Sequence, residues 1–382
     1  MNIEKLPDDC LLYIFHLFFR FETLLNCSEV CERWKSLVLE RLRSVRYLTD
    51  SQEMLGYPAG NTILFKDNDR LVGIEVSKWF PNLKILVPLR DLDANFIANL
   101  TIKGLELTCY SASETFKNAT FHNPSLEMLA ISRFCSFFAN QIQGPILKQL
   151  FLRDCNVSDF ARIAKYFPNL KRLHIYKFHG RPFRDNFYTG PVLEKLEILE
   201  ICFEGQLGTG EYHGFSLADH CPALKSAFHY IETDQEFFVD CEIKNHFLED
   251  LVLEFDYDSP DWSVLRCILS KYPNLKHLAI RGETEISDEN IPELLELLPR
   301  IILIDIRESE EVTEKSAEYI EQVCRQHNRS ISFYCQDDET EITKKWPHSS
   351  SKGVIIGRGF NFMKHCFLNR QGCLPLLLDP DE

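Results

Sequence analysis

One short apolar phrase recurs along most of this chain and limits the folds that it can adopt. The phrase is Leu-x-x-Leu-x-Leu, often preceded by proline, as in Pro168–Leu173 and Pro273–Leu278. Its leading apolar residue stands at positions 83, 102, 126, 147, 170, 193, 224, 248, 275 and 301, which are 19 to 31 residues apart. The sixth copy can be framed through either Leu193 or Leu196. Alternate burial within each copy predicts a short strand, and the recurring period predicts that the copies stack on one another.

The phrase and its period resemble leucine-rich repeats, and Cys155, in the turn after one copy, is typical of the cysteine-containing class. The resemblance implies an α/β fold. It would be a leucine-rich-repeat solenoid (horseshoe) with a parallel sheet on the concave face and one continuous core. We assign this solenoid to residues 46–336 and expect Ser332–Cys335 to form its last strand.

The segments between and beyond the repeats are less regular. Ser158, Ser287 and Thr313 are each followed by an acidic residue, so we predict that each caps the N-terminus of a helix. Residues 337–382 have no period. They form a C-terminal tail that either covers the end of the solenoid or is disordered.

The first 45 residues carry two apolar stripes at helical spacing. Asp8 and Asp9 follow Pro7 and place negative charge where a helix begins. The stripes contain Leu11, Ile14, Phe15 and Phe18, and then Leu24, Cys27, Cys31, Trp34 and Val38. A unit of about 40 residues seldom buries enough surface to be stable alone, so these helices need the rest of the chain or another protein.

The order and spacing of these residues resemble a three-helix F-box over residues 1–45. The resemblance is carried by Leu6, Pro7, Leu11, Ile14, Phe15, Leu24, Val30, Cys31, Trp34 and Leu37. F-box proteins with leucine-rich repeats are substrate receptors of Skp-cullin-F-box (SCF) ubiquitin ligases. The resemblance therefore implies a protein that binds a Skp-type adaptor, reaches a cullin through it, and holds a protein substrate for ubiquitin-dependent degradation. The adaptor-binding residues that it implies are Leu6, Pro7, Ile14, Phe15, Leu17, Val30, Cys31, Trp34 and Leu37. The alternative is a non-catalytic repeat scaffold whose N-terminal helices act as a cap.

The composition excludes several other classes of function. The formal net charge of -15 and the isoelectric point near 5.3 disfavour nucleic acid or an anionic membrane as the main ligand. No run reaches 18 consecutive apolar residues, and Glu4, Asp8 and Asp9 stand where a signal peptide would be basic. We therefore expect an intracellular protein of the cytoplasm, the nucleus or both.

Motifs of catalysis and metal binding are missing from the sequence. It has no His-Glu-x-x-His and no Gly-x-Ser-x-Gly, and the glycine run at 205–210 lacks the Lys-Ser or Lys-Thr of a P-loop. The 14 cysteines are scattered and never occur as Cys-x-x-Cys, so we expect reduced cysteines rather than disulfides or a metal site. We predict no enzyme activity, no catalytic residue, no metal and no cofactor.

A ligand of the repeats would lie on the side of the sheet that points away from the core. The third, fifth and seventh residues of each copy point to that side. They are rich in arginine, tyrosine and phenylalanine, which dominate binding hot spots, although an exposed sheet also favours aromatic residues. The predicted substrate-binding residues are Phe151, Arg153, Arg172, His174, Tyr176, Phe228, Tyr230, Glu254, His277, Arg281 and Arg307.

Overall fold

The computed structural model of the chain describes residues 3–50, 56–58, 60–66, 68–88, 94–107, 123–131, 144–178, 187–204, 211–231, 236–256, 260–282, 284–335, 342, 344–345 and 353–381. The chain divides into two compact units. Unit 1 contains Met1–Leu147 and Val354–Gly357, and unit 2 contains Lys148–Gly353 and Arg358–Glu382. The glycine run at 205–210 lies outside the described residues.

Unit 1 begins with three helices, Asp8–His16 (α1), Phe21–Ser28 (α2) and Glu32–Leu42 (α3). α1 starts directly after Pro7 and has Asp8 and Asp9 in its first turn, as the sequence predicts. Helix α3 packs against both α1 and α2, and Leu11, Leu24 and Leu42 are buried between them.

Five strands follow in unit 1: Tyr47–Thr49 (β1), Thr62–Leu64 (β2), Ile85–Val87 (β3), Gly104–Leu107 (β4) and Met128–Ile131 (β5). They pair in parallel in the order β2-β1-β3-β4-β5. Short helices at Asn68–Val72 (α4), Val76–Trp79 (α5) and Ala94–Ala98 (α6) lie between the strands along the chain.

Unit 2 contains a longer parallel sheet, in the order β6-β7-β8-β10-β12-β13-β14-β15. Its strands are Gln149–Arg153 (β6), Arg172–Phe178 (β7), Ile198–Glu204 (β8), Ser226–Ile231 (β10), Asp250–Phe255 (β12), His277–Arg281 (β13), Leu303–Ile306 (β14) and Ser332–Cys335 (β15). Glu211–Tyr212 (β9) and Glu236–Phe237 (β11) form a separate parallel pair. The α/β class and the parallel sheet agree with the prediction, and so does the last strand of this sheet.

The strands follow the repeated phrase in a constant register. From β3 to β14, apart from the separate pair β9 and β11, each strand starts two residues after the leading residue of one copy. This register settles the ambiguous sixth copy, because β8 starts at Ile198 and the frame therefore runs through Leu196.

The helices of unit 2 are Val157–Ile163 (α7), Gly214–Ala218 (α8), Trp262–Ser270 (α9), Ile291–Leu297 (α10) and Glu314–His327 (α11). The predicted N-cap at Thr313 is confirmed, since its side chain accepts a backbone N–H of the first turn of α11 at 3.3 Å. The other two predicted caps are wrong. Ser158 lies inside the first turn of α7, whose N-cap is Asn156, and Ser287 lies three residues before Asn290, the N-cap of α10.

Alternate residues of the unit 2 strands form two faces. The back face carries the leucines and isoleucines of the repeated phrase, such as Leu150, Ile175 and Leu251, which are buried. We call the opposite side the front face. Strand register aligns its residues in rows across the sheet, and the middle row contains Phe151, His174, Glu200, Phe228, Val252, Ala279, Asp305 and Tyr334.

Residues 358–381, which we call the C-terminal segment, lie on the front face of unit 2. They follow from Ile356–Arg358 (β16) and contain one turn of π-helix at Met363–Phe367 and a strand at Leu377–Asp379 (β17). The π-helical turn contacts β12, and β17 contacts β6.

The structure joins Cys241 and Cys267 in a disulfide, with their Cα atoms 5.5 Å apart. The expectation of reduced cysteines is wrong for this pair. Cys267 lies on α9 and Cys241 stands 26 residues earlier, so the fold rather than a local motif brings them together. Cys155, Cys202 and Cys366 are free and buried.

Candidate functional site

The N-terminal helices carry an exposed apolar surface. Tyr13 is 68% exposed, Leu17 is 62% exposed and Val30 is 58% exposed. Tyr13 lies on α1 and Leu17, four residues later, is the C-cap of this helix, so both side chains lie near one face of it. Large apolar side chains left in solvent together mark a surface that a protein partner can bury.

The predicted adaptor-binding residues divide between this surface and the core beneath it. Pro7, Leu17, Val30 and Cys31 are exposed; Leu6, Ile14 and Trp34 are half-buried; Phe15 and Leu37 are buried. The ring of Phe15 lies 5.4 Å from that of Trp34, so these two side chains pack α1 against α3. Sequence reasoning missed Tyr13, although its spacing from Leu17 was a usable signal.

An ion pair ties α3 to the start of α1. Arg33 approaches the carboxylate of Asp8 to 2.6 Å and donates to the carbonyl oxygen of Leu6 at 2.5 Å. Both charged side chains are largely exposed, so the pair contributes little to the free energy of unfolding.

The eleven predicted substrate-binding residues lie on or next to the front face of unit 2. Phe151, Arg172, His174, Phe228, Tyr230, Glu254 and Arg281 are buried; Tyr176, His277 and Arg307 are half-buried; Arg153 is exposed. Their role in binding a substrate stays a prediction. The C-terminal segment covers most of this face.

Two front-face side chains hold the C-terminal segment by its main chain. Arg172 donates to the carbonyl oxygens of Pro375 and Leu376 at 2.6 and 3.1 Å. The Gln149 side-chain amide donates to the carbonyl oxygen of Leu378 at 2.5 Å, and its oxygen accepts the Leu378 N–H at 3.0 Å. These bonds use backbone groups of the segment and do not depend on its side chains.

Arg172 also forms a buried ion pair with Glu200. Its Nε and Nη2 donate to the two carboxylate oxygens at 2.8 and 3.0 Å, and the thiol of Cys366 donates to Glu200 at 3.0 Å. Burial by itself would raise the pKa of Glu200, but Arg172, His174 and these hydrogen bonds hold that pKa below its usual value. Burial lowers the pKa of His174 to about 4, so the imidazole is neutral at pH 7.

A second arginine repeats this arrangement at the far end of the segment. Arg281 donates to the carbonyl oxygens of Phe367 and Asn369, the latter at 2.7 Å, and lies 3.1 Å from the carboxylate of Asp305. Burial opposes ionisation of Asp305, yet Arg281 and Arg307 hold its pKa below the usual value. The front face therefore holds carboxylates in their ionised form beneath the segment.

Polar side chains of the segment complete the contact. Arg370 donates to Glu308 at 3.0 Å and lies 3.8 Å from the carboxylate of Glu254. The Gln371 side chain donates to Glu204. Burial raises the pKa of Glu254 in spite of the arginines beside it.

Apolar side chains fill the space between these polar contacts. On the segment, Phe362, Phe367, Leu374 and Leu378 are buried. They form one cluster with the front-face residues Ile198, Cys202, Phe228, Tyr230, Val252, Ala279, Leu303 and Tyr334.

Sequence reasoning missed Glu200, Gln149 and the segment itself. The repeat that contains Glu200 had two possible frames, and the frame through Leu196 would have placed it on the front face. The segment has no period, so no sequence pattern placed it on the sheet.

Two further kinds of site find no support in the part of the chain that the structure describes. Its histidines, cysteines and carboxylates form no group that could hold a metal ion. None of its helices is both long and apolar enough to cross a membrane.

Comparison with known proteins assigns the N-terminal helices. Residues 3–46 match the F-box-like family, so the chain carries an F-box-like domain formed by α1, α2 and α3. F-box domains generally bind Skp-type adaptors. The match therefore suggests an adaptor-binding role in SCF-type ubiquitin ligase complexes. No curated protein matches the chain.

Proposed function

We propose that this chain is the substrate-recognition subunit of an SCF-type E3 ubiquitin ligase. In this proposal α1, α2 and α3 bind a Skp-type adaptor, and through it a cullin, while the leucine-rich repeats hold a protein substrate. The F-box-like match at residues 3–46 is the observation that carries the proposal. The exposed side chains of Tyr13, Leu17 and Val30 support it, because an adaptor could bury them.

The contribution of the chain is positional rather than chemical. Stacked parallel strands give a rigid support for a bound protein. Other subunits carry the activated ubiquitin, and holding the substrate beside them raises the effective concentration of its lysines. The chain itself transfers no group and needs no cofactor.

Capture of a purified Skp-type adaptor by the full chain tests the proposal. Leu17→Glu with Val30→Glu places two charges on the exposed surface of α1 to α3, and we expect adaptor capture to fall by at least about tenfold. Val192→Glu is the matched control, because Val192 is 51% exposed but lies in unit 2. The proposal fails if the folded chain captures no adaptor, or if the double variant captures as much as the control.

A repeat scaffold with an N-terminal cap is the second candidate. Contacts within unit 1 favour it: the Phe21 ring lies 5.3 Å from Phe80 and 6.0 Å from Trp79, and the Leu64 N–H donates to the Phe19 carbonyl oxygen at 2.7 Å. A cap requires only these contacts. The same adaptor assay separates the two candidates, because a cap binds no adaptor whether or not its exposed surface is changed.

A further inference from the structure

We propose that the front face of unit 2 is a binding groove for an aromatic chain segment that carries one arginine opposite the groove's carboxylates, and that residues 358–381 fill it as an internal ligand. A protein partner of the repeats would carry a segment of the same chemistry and would displace the internal one. This inference rests on the proposed function, since it names the kind of segment that the substrate-binding surface takes.

The groove holds its occupant in the way that protein surfaces hold peptides. Arg172, Gln149 and Arg281 bond to the main chain of the segment at points spread along it. Such bonds can be made to any chain that runs in the same path, while the side-chain pockets supply selectivity. The buried rings of Phe362 and Phe367 are the aromatic anchors of the present occupant.

Charge restricts the occupant further. The segment contains three basic residues, Arg358, Lys364 and Arg370, and two acidic residues at its end, Asp379 and Asp381. Opposite Arg370 the groove presents two carboxylates, Glu308 at 3.0 Å and Glu254 at 3.8 Å. An acidic side chain at the position of Arg370 would meet like charges, so the groove selects a basic residue there.

The internal occupant does not satisfy every polar group of the groove. The Oε2 atom of Glu254 and the hydroxyl of Tyr334 are buried and have no hydrogen-bond partner among the described residues. An unpaired buried polar group costs free energy. A partner segment that supplies donors at these two points would therefore compete with residues 358–381 for the groove.

Cutting the chain before the segment tests whether it is a ligand. A protease site is inserted between Ser350 and Ser351 of the full chain, outside the described residues, and the cut protein is incubated with a fluorescent peptide of residues 358–382. We expect the cut fragment to stay bound at first and then to exchange with the peptide. Fluorescence anisotropy should rise, and unlabelled peptide should reverse the rise. If the cut chain never takes up the peptide, the segment is part of the core and the inference is wrong.

Paired variants test the chemistry of recognition. Arg370→Ala in the peptide should weaken uptake roughly tenfold, because it removes the charge-assisted contact to Glu308 and the nearby Glu254. The matched control is Arg325→Ala in the body of the chain, which removes an exposed ion pair with Glu321 on α11 and should leave uptake unchanged. A scrambled peptide of the same composition should bind weakly. Equal binding of the scrambled peptide would show that amino-acid composition alone decides binding and would overturn the groove.

Failure of this inference is distinguishable from failure of the proposed function. Adaptor capture depends on α1 to α3 in unit 1, and peptide exchange depends on unit 2. A chain that captures adaptor but exchanges no peptide remains a ligase subunit without this groove. A chain that exchanges peptide but captures no adaptor is a repeat scaffold with a peptide groove.

Discussion

Arg172→Met should destabilise unit 2 strongly. The guanidinium and its partner Glu200 are 1% and 0% exposed, and the substitution leaves the carboxylate buried with its main cation gone. Breaking one partner of a buried ion pair costs about 3–5 kcal/mol. The carbonyl oxygens of Pro375 and Leu376 lose their donor as well, so we expect the upper part of this range.

Calorimetric unfolding of the full chain measures the effect. For a folded unit of about 200 residues each kcal/mol shifts the melting temperature by about 2–4 °C, so unit 2 should melt roughly 6–20 °C lower. Arg325→Met is the matched control, since its ion pair with Glu321 is exposed and contributes at most about 0.5 kcal/mol. Arg172→Met with Glu200→Met should recover most of the loss, because an apolar pair replaces the buried charges.

The cost should also depend on pH with a definite sign. The pKa of Glu200 is held below its ordinary value of 4.5. Its ionised form therefore stabilises the wild-type fold above that value, and this stabilisation is lost as the pH falls through the lowered pKa. Without Arg172, burial raises the pKa of this carboxyl, so the variant should lose less relative to wild type at pH 5 than at pH 7. A loss under about 1 kcal/mol at pH 7, or a loss that grows on acidification, would refute the reasoning.

Three other changes probe separate parts of unit 2. Gly282→Ala should lower the free energy of unfolding in a urea titration by at least about 1–3 kcal/mol, because Gly282 has φ of 95° and a Cβ there would overlap a carbonyl oxygen of β12. Gly372→Ala is the control and should be nearly neutral in the same titration, because the space around Gly372 is open. Leu378→Ala should cost about 2–5 kcal/mol by leaving a cavity under β17, and a value near zero in urea unfolding would mean that the segment does not pack there. Reducing the Cys241–Cys267 disulfide should lower the free energy of unfolding by about 2–4 kcal/mol. The effect should be seen as a lower melting temperature in dithiothreitol, and Cys241→Ser should abolish this dependence on dithiothreitol. Two free thiols at these positions in mass spectrometry of the untreated protein would contradict the bond.

The strands of this protein are predictable from the sequence because each repeat specifies its own burial pattern. The leading positions from 83 to 301, with the sixth copy framed through Leu196, each lead into a strand at the same offset, and Ser332–Cys335 closes the unit 2 sheet as expected. The start of α1 follows in the same way from Pro7 and the acidic residues after it. These are local signals, and neighbouring residues decide them.

The choice between neighbouring helix caps and the contacts between distant residues were not predictable in this way. Ser287 looks like a helix cap, but its N–H bonds to the side chain of Asn290 and the helix starts later. Cys241 and Cys267 meet only because the fold brings the loop beside α9. The C-terminal segment lies on the front face through arginine-to-carbonyl bonds and irregular apolar packing, which leave no periodic trace in the sequence.

The hydrogen bond between Gln149 and Leu378 spans 229 residues, and this separation has a consequence for the synthesis of the protein on the ribosome. At about 5–20 residues per second, roughly 10–50 s separate the synthesis of these two partners. Phe228 and Val252 are made within this interval, before the chain that shields them. A nascent chain that exposes the apolar residues of such a sheet is prone to aggregate. Full solubility should come only once residues 358–381 have been made, so nascent chains halted before them should bind more chaperone.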